Sequence, residues 1–320
     1  MKTPLIHLHI KAILLLLILS VAPFATKAAP EDYFFTVEDS IRYPIDGHAG
    51  QGVFEAKPVF GDCLGMNVDD MAYWCQTVKR VGIVKSLVLI GDSKIAYLWP
   101  GFIRNAPNFN IILIGRPSCP PIKEPLFITT HDRPNLDHCE KLHKYAAKAI
   151  AANDTVTHVI ITFSSTTFQM LMQFLYSESG LSREDSVTLK LSLFIKEITD
   201  RGKKIIFIID TPRLTNSEKC FPPNALVAKL PQIPGCVIPI SQYAEQTAGI
   251  KRILDKIQST LPPGHVTVYD FTAELCPNNR CSVKLNNQYL YEMGDHATDV
   301  TNEIISKKIL IQSGLIAKKQ

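Results

Sequence analysis

The chain has 320 residues, of which 46% are hydrophobic and 20% are charged, and its formal net charge is +4. This length allows one large α/β domain or two small ones, since a single core grows to roughly 250–300 residues. The composition excludes a disordered, collagen-like or long coiled-coil protein. Apart from the N-terminus, no run of apolar residues is long enough for a polytopic membrane protein.

Most of the positive charge lies at the N-terminus. The first 28 residues contain Lys2, Lys11 and Lys27 but no Asp or Glu, and removing these three lysines leaves 31 basic residues against 30 acidic ones. Because the remaining chain is almost neutral and has no basic stripe, nucleic acid is not predicted as a partner.

The N-terminal segment has the pattern of an export signal. Lys2 and Lys11 precede an apolar run at residues 12–25, and small residues such as Ala28 follow. We therefore predict a signal peptide over residues 1–28, and a protein that is secreted, periplasmic, extracellular or lumenal. The alternative is an uncleaved N-terminal anchor, which would be the chain's one predicted contact with a membrane.

The eight cysteines fall into four couples that are close in sequence, with longer gaps between couples. An even number of cysteines behind an export signal favours disulfides, and pairing between neighbours is our hypothesis. A zinc site is disfavoured because the chain has no CxxC motif, and no metal is predicted. The predicted disulfides are Cys63–Cys75, Cys119–Cys139, Cys220–Cys236 and Cys276–Cys281.

Residues 29–82 have no clear regular pattern and are predicted to form an N-terminal extension that carries the first cysteine couple. Beyond it, five apolar, β-branched runs have the pattern of parallel strands that are buried on both faces. They are Ser86–Ile90, Asn110–Ile114, Thr157–Thr162, Lys204–Ile209 and His265–Tyr269.

Helical patterns separate these strands. The clearest begins after Ser182, has Asp185 at the capping-box position, and ends at Gly202. The alternation of strands and helices predicts one α/β domain over residues 83–320, a three-layer α/β/α sandwich with a five-stranded, mainly parallel sheet. The predicted helices are Cys139–Ala152, Leu181–Gly202, Ser241–Leu261 and Thr298–Gly314.

Ser93 stands where the first predicted strand turns into a helix. Such a serine lies at the carboxyl edge of the sheet, where open α/β folds bind ligands. Its own N–H and the helix N-terminus favour a developing negative charge, so Ser93 is a candidate nucleophile. The alternative is that Ser93 serves only as a helix cap.

His296 lies just ahead of the last predicted helix. A histidine at this position can face the same sheet edge as Ser93, which makes it the candidate general base. Its position, rather than its residue type, distinguishes it from the other histidines of the chain, of which there are nine in all.

From about Cys75 to the C-terminus the chain resembles an SGNH (GDSL-type) hydrolase. It is most similar to the SGNH domains attached to membrane O-acyltransferases that modify bacterial glycans. The resemblance rests on the order of a cysteine, a GDS turn, a Ser-Cys-Pro-Pro element, a cysteine hairpin and a terminal histidine signature. In this sequence these are Cys75, Gly91–Ser93, Ser118–Pro121, Cys276 with Cys281, and Tyr291–Thr298.

The resemblance implies an SGNH/flavodoxin-like sheet with Ser93 as nucleophile, His296 as base, and the N–H groups of Ser93 and Gly115 as oxyanion donors. It also implies esterase or acyl-transfer chemistry on O-acyl groups, often acetyl groups on carbohydrate, so the expected substrate is an ester or an O-acylated glycan. No metal or organic cofactor is expected. Acyl transfer would need a separate acyl-donor protein, so hydrolysis is the simpler reaction.

Two departures from the family pattern weaken the expected site. The family aspartate position, three residues before the histidine, holds Met293, and Asp295 is a poor substitute because adjacent side chains diverge. No asparagine follows the third strand, where Ser164 or Ser165 could donate a hydroxyl instead. At least one of these serines is predicted to cap the next helix.

Two hypotheses follow from this pattern. The first is an exported SGNH-fold hydrolase or acyl transferase that uses Ser93 and His296. The second is a non-catalytic SGNH module that binds a glycan or a partner protein. A Ser93–His296 distance far beyond hydrogen-bond reach would favour the second hypothesis.

Overall fold

This computed structural model describes residues 74–123, 133–175, 180–213, 236–285, 288–292 and 296–318, together with Leu64 and Cys220. The predicted signal peptide and most of the predicted extension lie outside the described residues.

A six-stranded sheet forms the centre of the fold, and among its described strands only the first is antiparallel. In chain order its strands are β1 (Trp74–Val78), β2 (Ser86–Gly91), β3 (Asn110–Gly115), β4 (Val156–Thr162), β5 (Lys204–Ile208) and β7 (Val266–Tyr269). The short strand β6 (Val237–Pro239) lies between β5 and β7 in the chain but outside this sheet. Their order across the sheet is β1-β3-β2-β4-β5-β7.

Helices cover both faces of the sheet. In chain order they are α1 (Ser93–Asn105), α2 (Arg133–Ala152), α3 (Ser165–Phe174), α4 (Arg183–Thr199), α5 (Ile240–Thr260), the single turn α6 (Thr272–Leu275) and α7 (Asp299–Gln312). Helices α1 and α7 pack together, while α2, α4 and α5 pack side by side. From β2 the chain first moves to β3 on one side and then to β4, β5 and β7 on the other side. Because the crossovers are right-handed, this change of direction places α1 and α7 on one face of the sheet and α2, α4 and α5 on the other.

The predicted three-layer α/β fold is confirmed, with its mainly parallel sheet. The strands β2 to β5 are almost fully buried, which explains their continuous apolar sequences. The predicted helix after Ser182 is α4, and the Ser182 hydroxyl accepts a hydrogen bond from the Asp185 N–H at 3.1 Å. This contact is the first half of the predicted capping box.

The strand count differs from the predicted five because β1 adds an edge strand. Its sequence contains Gln76 and Thr77, so it lacks the continuous apolar run that marks the other strands. Pairing with β3 in the register Trp74↔Gly115 and Val78↔Ile111 supplies its hydrogen bonds. The end of the predicted extension is therefore part of the sheet, as its antiparallel edge.

The C-terminal part of the chain forms short paired strands between β7 and α7. Strand β6 pairs with the first of them, and two further antiparallel pairs follow. A 3₁₀ turn (Pro277–Asn279) precedes these strands. The strands are β8 (Arg280–Ser282), β9 (Lys284–Leu285), β10 (Gln288–Tyr289), β11 (Tyr291–Glu292) and β12 (His296–Ala297).

Three disulfides join neighbouring cysteines, as the spacing predicts: Cys119–Cys139, Cys220–Cys236 and Cys276–Cys281. Cys75 is disulfide-bonded as well, and its predicted partner Cys63 lies outside the described residues. Disulfides persist where the environment is oxidising, so they indicate an extracytoplasmic location. Within the described part of the chain, no helix combines the length and apolarity needed to cross a bilayer.

Candidate active site

The turn that carries Ser93 is built by the residues on either side of it. Asp92 is the N-cap of α1, and its carboxylate accepts a hydrogen bond from the Lys94 N–H at 2.9 Å. Gly91, the last residue of β2, lies so close to β4 that a Cβ there would be 1.9 Å from the Thr162 carbonyl oxygen. The glycine therefore lets the two strands meet, and the turn presents Ser93 at the carboxyl edge of the sheet.

His296 is held by the β11–β12 hairpin and by the residues that follow it. It pairs with Glu292 in the hairpin register. Two residues on, Thr298 donates its hydroxyl to the Tyr289 carbonyl at 2.6 Å and its N–H to the Leu290 carbonyl at 3.1 Å. These bonds fix the backbone between His296 and α7.

The two candidate residues meet although they lie 203 positions apart in the sequence. The Ser93 Oγ is 2.9 Å from the His296 Nε2, which is hydrogen-bond distance for a nucleophile and its base. Both side chains are partly exposed, so a substrate can approach them. This geometry can transfer a proton from the serine hydroxyl to the imidazole as the serine attacks a carbonyl carbon.

Gly115 ends β3 directly opposite Gly91 in the sheet register. A Cβ at Gly115 would lie 2.5 Å from the Gly91 carbonyl oxygen, so the close approach of β2 and β3 requires glycine. Gly115 thus lies at the same sheet edge as Ser93, and its role as an oxyanion donor stays a prediction. Met293 and Asp295 lie outside the described residues.

Ser164 and Ser165 have different roles at the end of β4. Ser164 caps α3, since its hydroxyl accepts a hydrogen bond from the Thr167 N–H at 2.9 Å, as predicted for at least one of the pair. The N–H groups of both serines are bound by carboxylates: that of Ser164 by Asp92 at 2.8 Å and that of Ser165 by Asp210 at 2.7 Å. The Ser164 hydroxyl also donates its proton to the Thr167 hydroxyl at 2.8 Å, so the Ser165 hydroxyl is the remaining candidate oxyanion donor of this pair.

A buried ion pair beside Ser93 was not predicted from the sequence. The Lys94 Nζ lies 3.1 Å from the Asp210 carboxylate, and both side chains are almost completely buried. The Thr211 hydroxyl adds a contact to the ammonium at 3.3 Å. Asp210 follows β5, so a search for acidic residues after each predicted strand could have found it.

Asp92 is a second carboxylate in this buried cluster. Burial raises its pKa, and the negative charge of Asp210 adds to the rise. Hydrogen bonds from the Ser164 N–H, the Thr167 hydroxyl and the Lys94 N–H oppose it, because they stabilise the ionised form. One ammonium and two carboxylates thus tie the start of α1 to the ends of β4 and β5.

Ser93 at a strand-to-helix turn, hydrogen-bonded to His296 ahead of the last helix of a mainly parallel sheet, is the arrangement expected of an SGNH-type domain. Residues 62–310 match the model of the SGNH domains that are fused to AT3 domains. Because this match covers more than half of the chain, the protein belongs to that family.

Several solved structures are similar to the chain at low scores. A structure of TesA has 7% sequence identity and a TM-score of 0.39, and the match covers 72% of this chain and 97% of that one. A candidate acylhydrolase from Bacteroides fragilis has 12% identity, a TM-score of 0.38 and coverages of 72% and 87%. A GDSL-like lipase from Bacteroides thetaiotaomicron has 11% identity, a TM-score of 0.34 and coverages of 72% and 88%. No curated protein matches the chain in sequence.

Proposed function

We propose that this SGNH domain removes or transfers O-acyl groups, with acetyl esters of carbohydrate as its substrates. The observation that carries the proposal is the 2.9 Å distance between the Ser93 Oγ and the His296 Nε2. A non-catalytic binding module has no need for this contact, whereas nucleophilic catalysis by serine requires it.

In the proposed mechanism, the Ser93 Oγ attacks the ester carbonyl carbon while its proton moves to the His296 Nε2. The N–H groups of Ser93 and Gly115 bind the oxyanion, and the N-terminus of α1 adds favourable potential there. The intermediate collapses, and the leaving sugar oxygen takes the proton from His296. The acyl group remains on Ser93 until a second hydroxyl, that of water or of another sugar, attacks it and gives its proton to His296. The bond between the acyl carbon and the Ser93 Oγ then breaks, and His296 returns the proton to the Oγ.

The second attacking hydroxyl decides between the two reactions. Water gives hydrolysis, and a hydroxyl of another sugar gives acyl transfer. The fusion of this family to AT3 domains supports an acyltransferase as the source of acyl groups for this system. We propose an exported protein as the working form, and the disulfides support this location.

The first experiment measures hydrolysis of p-nitrophenyl acetate by the wild-type protein and by Ser93→Ala and His296→Ala. Each substitution is expected to lower kcat by at least ~1000-fold, because the nucleophile and the base act as a unit. Ser259→Ala, which removes an exposed hydroxyl on α5, is the matched control and should retain the wild-type rate. Equal rates for the wild type and Ser93→Ala would remove Ser93 as the nucleophile.

A second measurement tests the substrate class directly. Release of acetate from an O-acetylated polysaccharide is compared with release from the same polymer carrying N-acetyl groups only. The proposal expects release from the ester alone, since an amide carbonyl is the poorer electrophile. Release from neither polymer, by a protein that cleaves p-nitrophenyl acetate, would exclude acetylated carbohydrate of that type as the substrate.

A further inference from the structure

The ring of Tyr97 packs against the imidazole of His296. The two ring centroids are 4.1 Å apart and the ring planes are inclined by 34°. Tyr97 follows Ser93 by four positions on α1, so both side chains project from the same face of this helix. The imidazole of His296 therefore touches two residues of one helical turn: the hydroxyl of Ser93 at Nε2 and the ring face of Tyr97.

Tyr97 differs in its surroundings from the other large aromatic residue of α1. Trp99 is completely buried and belongs to the hydrophobic core. Tyr97 is 8% exposed and contacts a histidine that is itself partly exposed and hydrogen-bonded to the nucleophile. Core packing explains why a tryptophan stands at position 99. The ring of Tyr97, in contrast, contacts His296 in the candidate active site.

We infer that Tyr97 is a positioning residue for His296, an inference that rests on the proposed function. Its ring limits rotation of the imidazole and so keeps Nε2 directed at the Ser93 Oγ. Its electron-rich face also stabilises the imidazolium that forms when His296 takes the serine proton. In a Ser-His-Asp triad, orienting the imidazole and stabilising the imidazolium are tasks of the carboxylate, and a packed aromatic ring can contribute to both.

The test compares Tyr97→Leu with Tyr97→Phe, because phenylalanine retains the ring face and leucine does not. Tyr97→Leu is expected to lower kcat by ~10- to 100-fold and to change KM by less than about twofold. Tyr97→Phe is expected to retain kcat to within about threefold, since it keeps the aromatic contact. Tyr145→Leu, which truncates an exposed tyrosine on α2, is the matched control and should behave as the wild type.

A purely structural role would give a different pattern. Active sites are counted by titration with a fluorophosphonate that labels Ser93, so that kcat is expressed per folded site. Tyr97→Met, whose unbranched and flexible side chain can adapt to the space left by the ring, serves as a second variant if the leucine variant folds poorly. Wild-type kcat per folded site in Tyr97→Leu or Tyr97→Met, or equal losses in the leucine and phenylalanine variants, would overturn the inference.

An NMR measurement separates failure of this inference from failure of the proposed function, because it needs no turnover. The ring signals of His296 are assigned by comparison with His296→Ala and followed in the wild type and in Tyr97→Leu. The inference expects the ring-current shift and the order of the imidazole to be lost in Tyr97→Leu. If the wild type cleaves no ester but this loss occurs, the proposed function fails and the positioning role stands. Unchanged imidazole signals overturn the positioning role whatever the activity.

Discussion

Lys94 is a residue at which burial and charge act against each other. Its ammonium lies in the protein interior, with a side-chain exposure of 5% against 3% for Asp210, its partner. A charge at this depth is stable only when it is paired and hydrogen-bonded. Asp210 in turn accepts a hydrogen bond from the N–H of Ser165, so the ion pair connects the first turn of α1 to the start of α3.

Removing one member of this pair is predicted to be costly. In Lys94→Met the Asp210 carboxylate stays buried without its counterion, close to the second carboxylate of Asp92. The free energy of unfolding is expected to fall by about 3–5 kcal/mol, measured by denaturant unfolding.

Two controls define this prediction. The double variant Lys94→Met with Asp210→Asn removes both charges and keeps an acceptor for the Ser165 N–H, so it should recover most of the loss. Lys196→Met breaks an exposed ion pair with Asp200 and should change stability by less than about 0.5 kcal/mol. A double variant as unstable as Lys94→Met would contradict the role of the charge pair.

Helices α1 and α7 are the elements that bring the candidate residues together. Ser93 begins α1 and His296 precedes α7, and the two helices run side by side in the same direction. Gly101 meets the Asn302 backbone, and farther along Asn105 donates a hydrogen bond to the Ser306 hydroxyl at 3.0 Å. The distance between the helix axes therefore contributes to the distance between nucleophile and base.

Gly101 is the point of closest approach that can be tested by substitution. A Cβ at this position would lie 2.5 Å from the Asn302 carbonyl oxygen, so Gly101→Ala must push α1 and α7 apart. We expect the free energy of unfolding to fall by about 1–3 kcal/mol. Because the shift also separates Ser93 from His296, kcat is expected to fall about 10-fold or more.

Gly264→Ala is the control for Gly101→Ala. Gly264 has a φ of +81°, and no atom lies within 4 Å of the place that a Cβ would take, so alanine there strains the backbone without moving a helix. It should cost about 1–2 kcal/mol of stability and leave kcat of the folded protein unchanged. If Gly101→Ala loses stability but keeps its wild-type kcat, helix separation does not control the site.

The whole molecule combines a large buried core with disulfides on the loops around it. Cys119–Cys139 ties the loop after β3 to α2, while Cys220–Cys236 and Cys276–Cys281 lie beside the C-terminal strands. His143 lies fully buried beneath the first of these, with its Nε2 3.3 Å from the Cys119 sulfur. Burial in this apolar setting lowers the pKa of His143 to about 3.

This buried histidine predicts a loss of stability in acid. The unfolded chain binds a proton at His143 below a pH of about 6.5, whereas the folded protein resists it down to a pH of about 3. The stabilisation is complete above the unfolded pKa and is lost as the pH falls toward the folded value. Between pH 6.5 and pH 4.5 the contribution of His143 is expected to decrease by roughly 2–3 kcal/mol.

His143→Leu tests this prediction, since leucine cannot take up a proton. Denaturant unfolding of both proteins at pH 7 and pH 4.5 gives the change of stability with pH in each. Over this interval the free energy of unfolding of the wild type should decrease by roughly 2–3 kcal/mol more than that of His143→Leu. Parallel losses in the two proteins would show that His143 does not contribute to acid unfolding.

The local pattern of the chain is enough to predict its layers and most of its elements. Continuous apolar runs mark β2 to β5 because both faces of these strands are buried, so each residue carries the signal. The helix after Ser182 can be predicted from local sequence as well, because its N-cap is formed by residues that are close in sequence. Strand β1 cannot be predicted from local sequence, because its extended conformation depends on pairing with β3 and not on its composition.

Order along the chain is likewise enough to predict the candidate nucleophile, the candidate base and the disulfides between neighbouring cysteines. The residues that surround these groups are known only from the assembled fold. Asp210 reaches Lys94 across 116 positions, and Tyr97 on α1 reaches His296 on β12. Such contacts depend on helix spacing and burial, which arise only once the sheet has assembled and have no counterpart in local sequence.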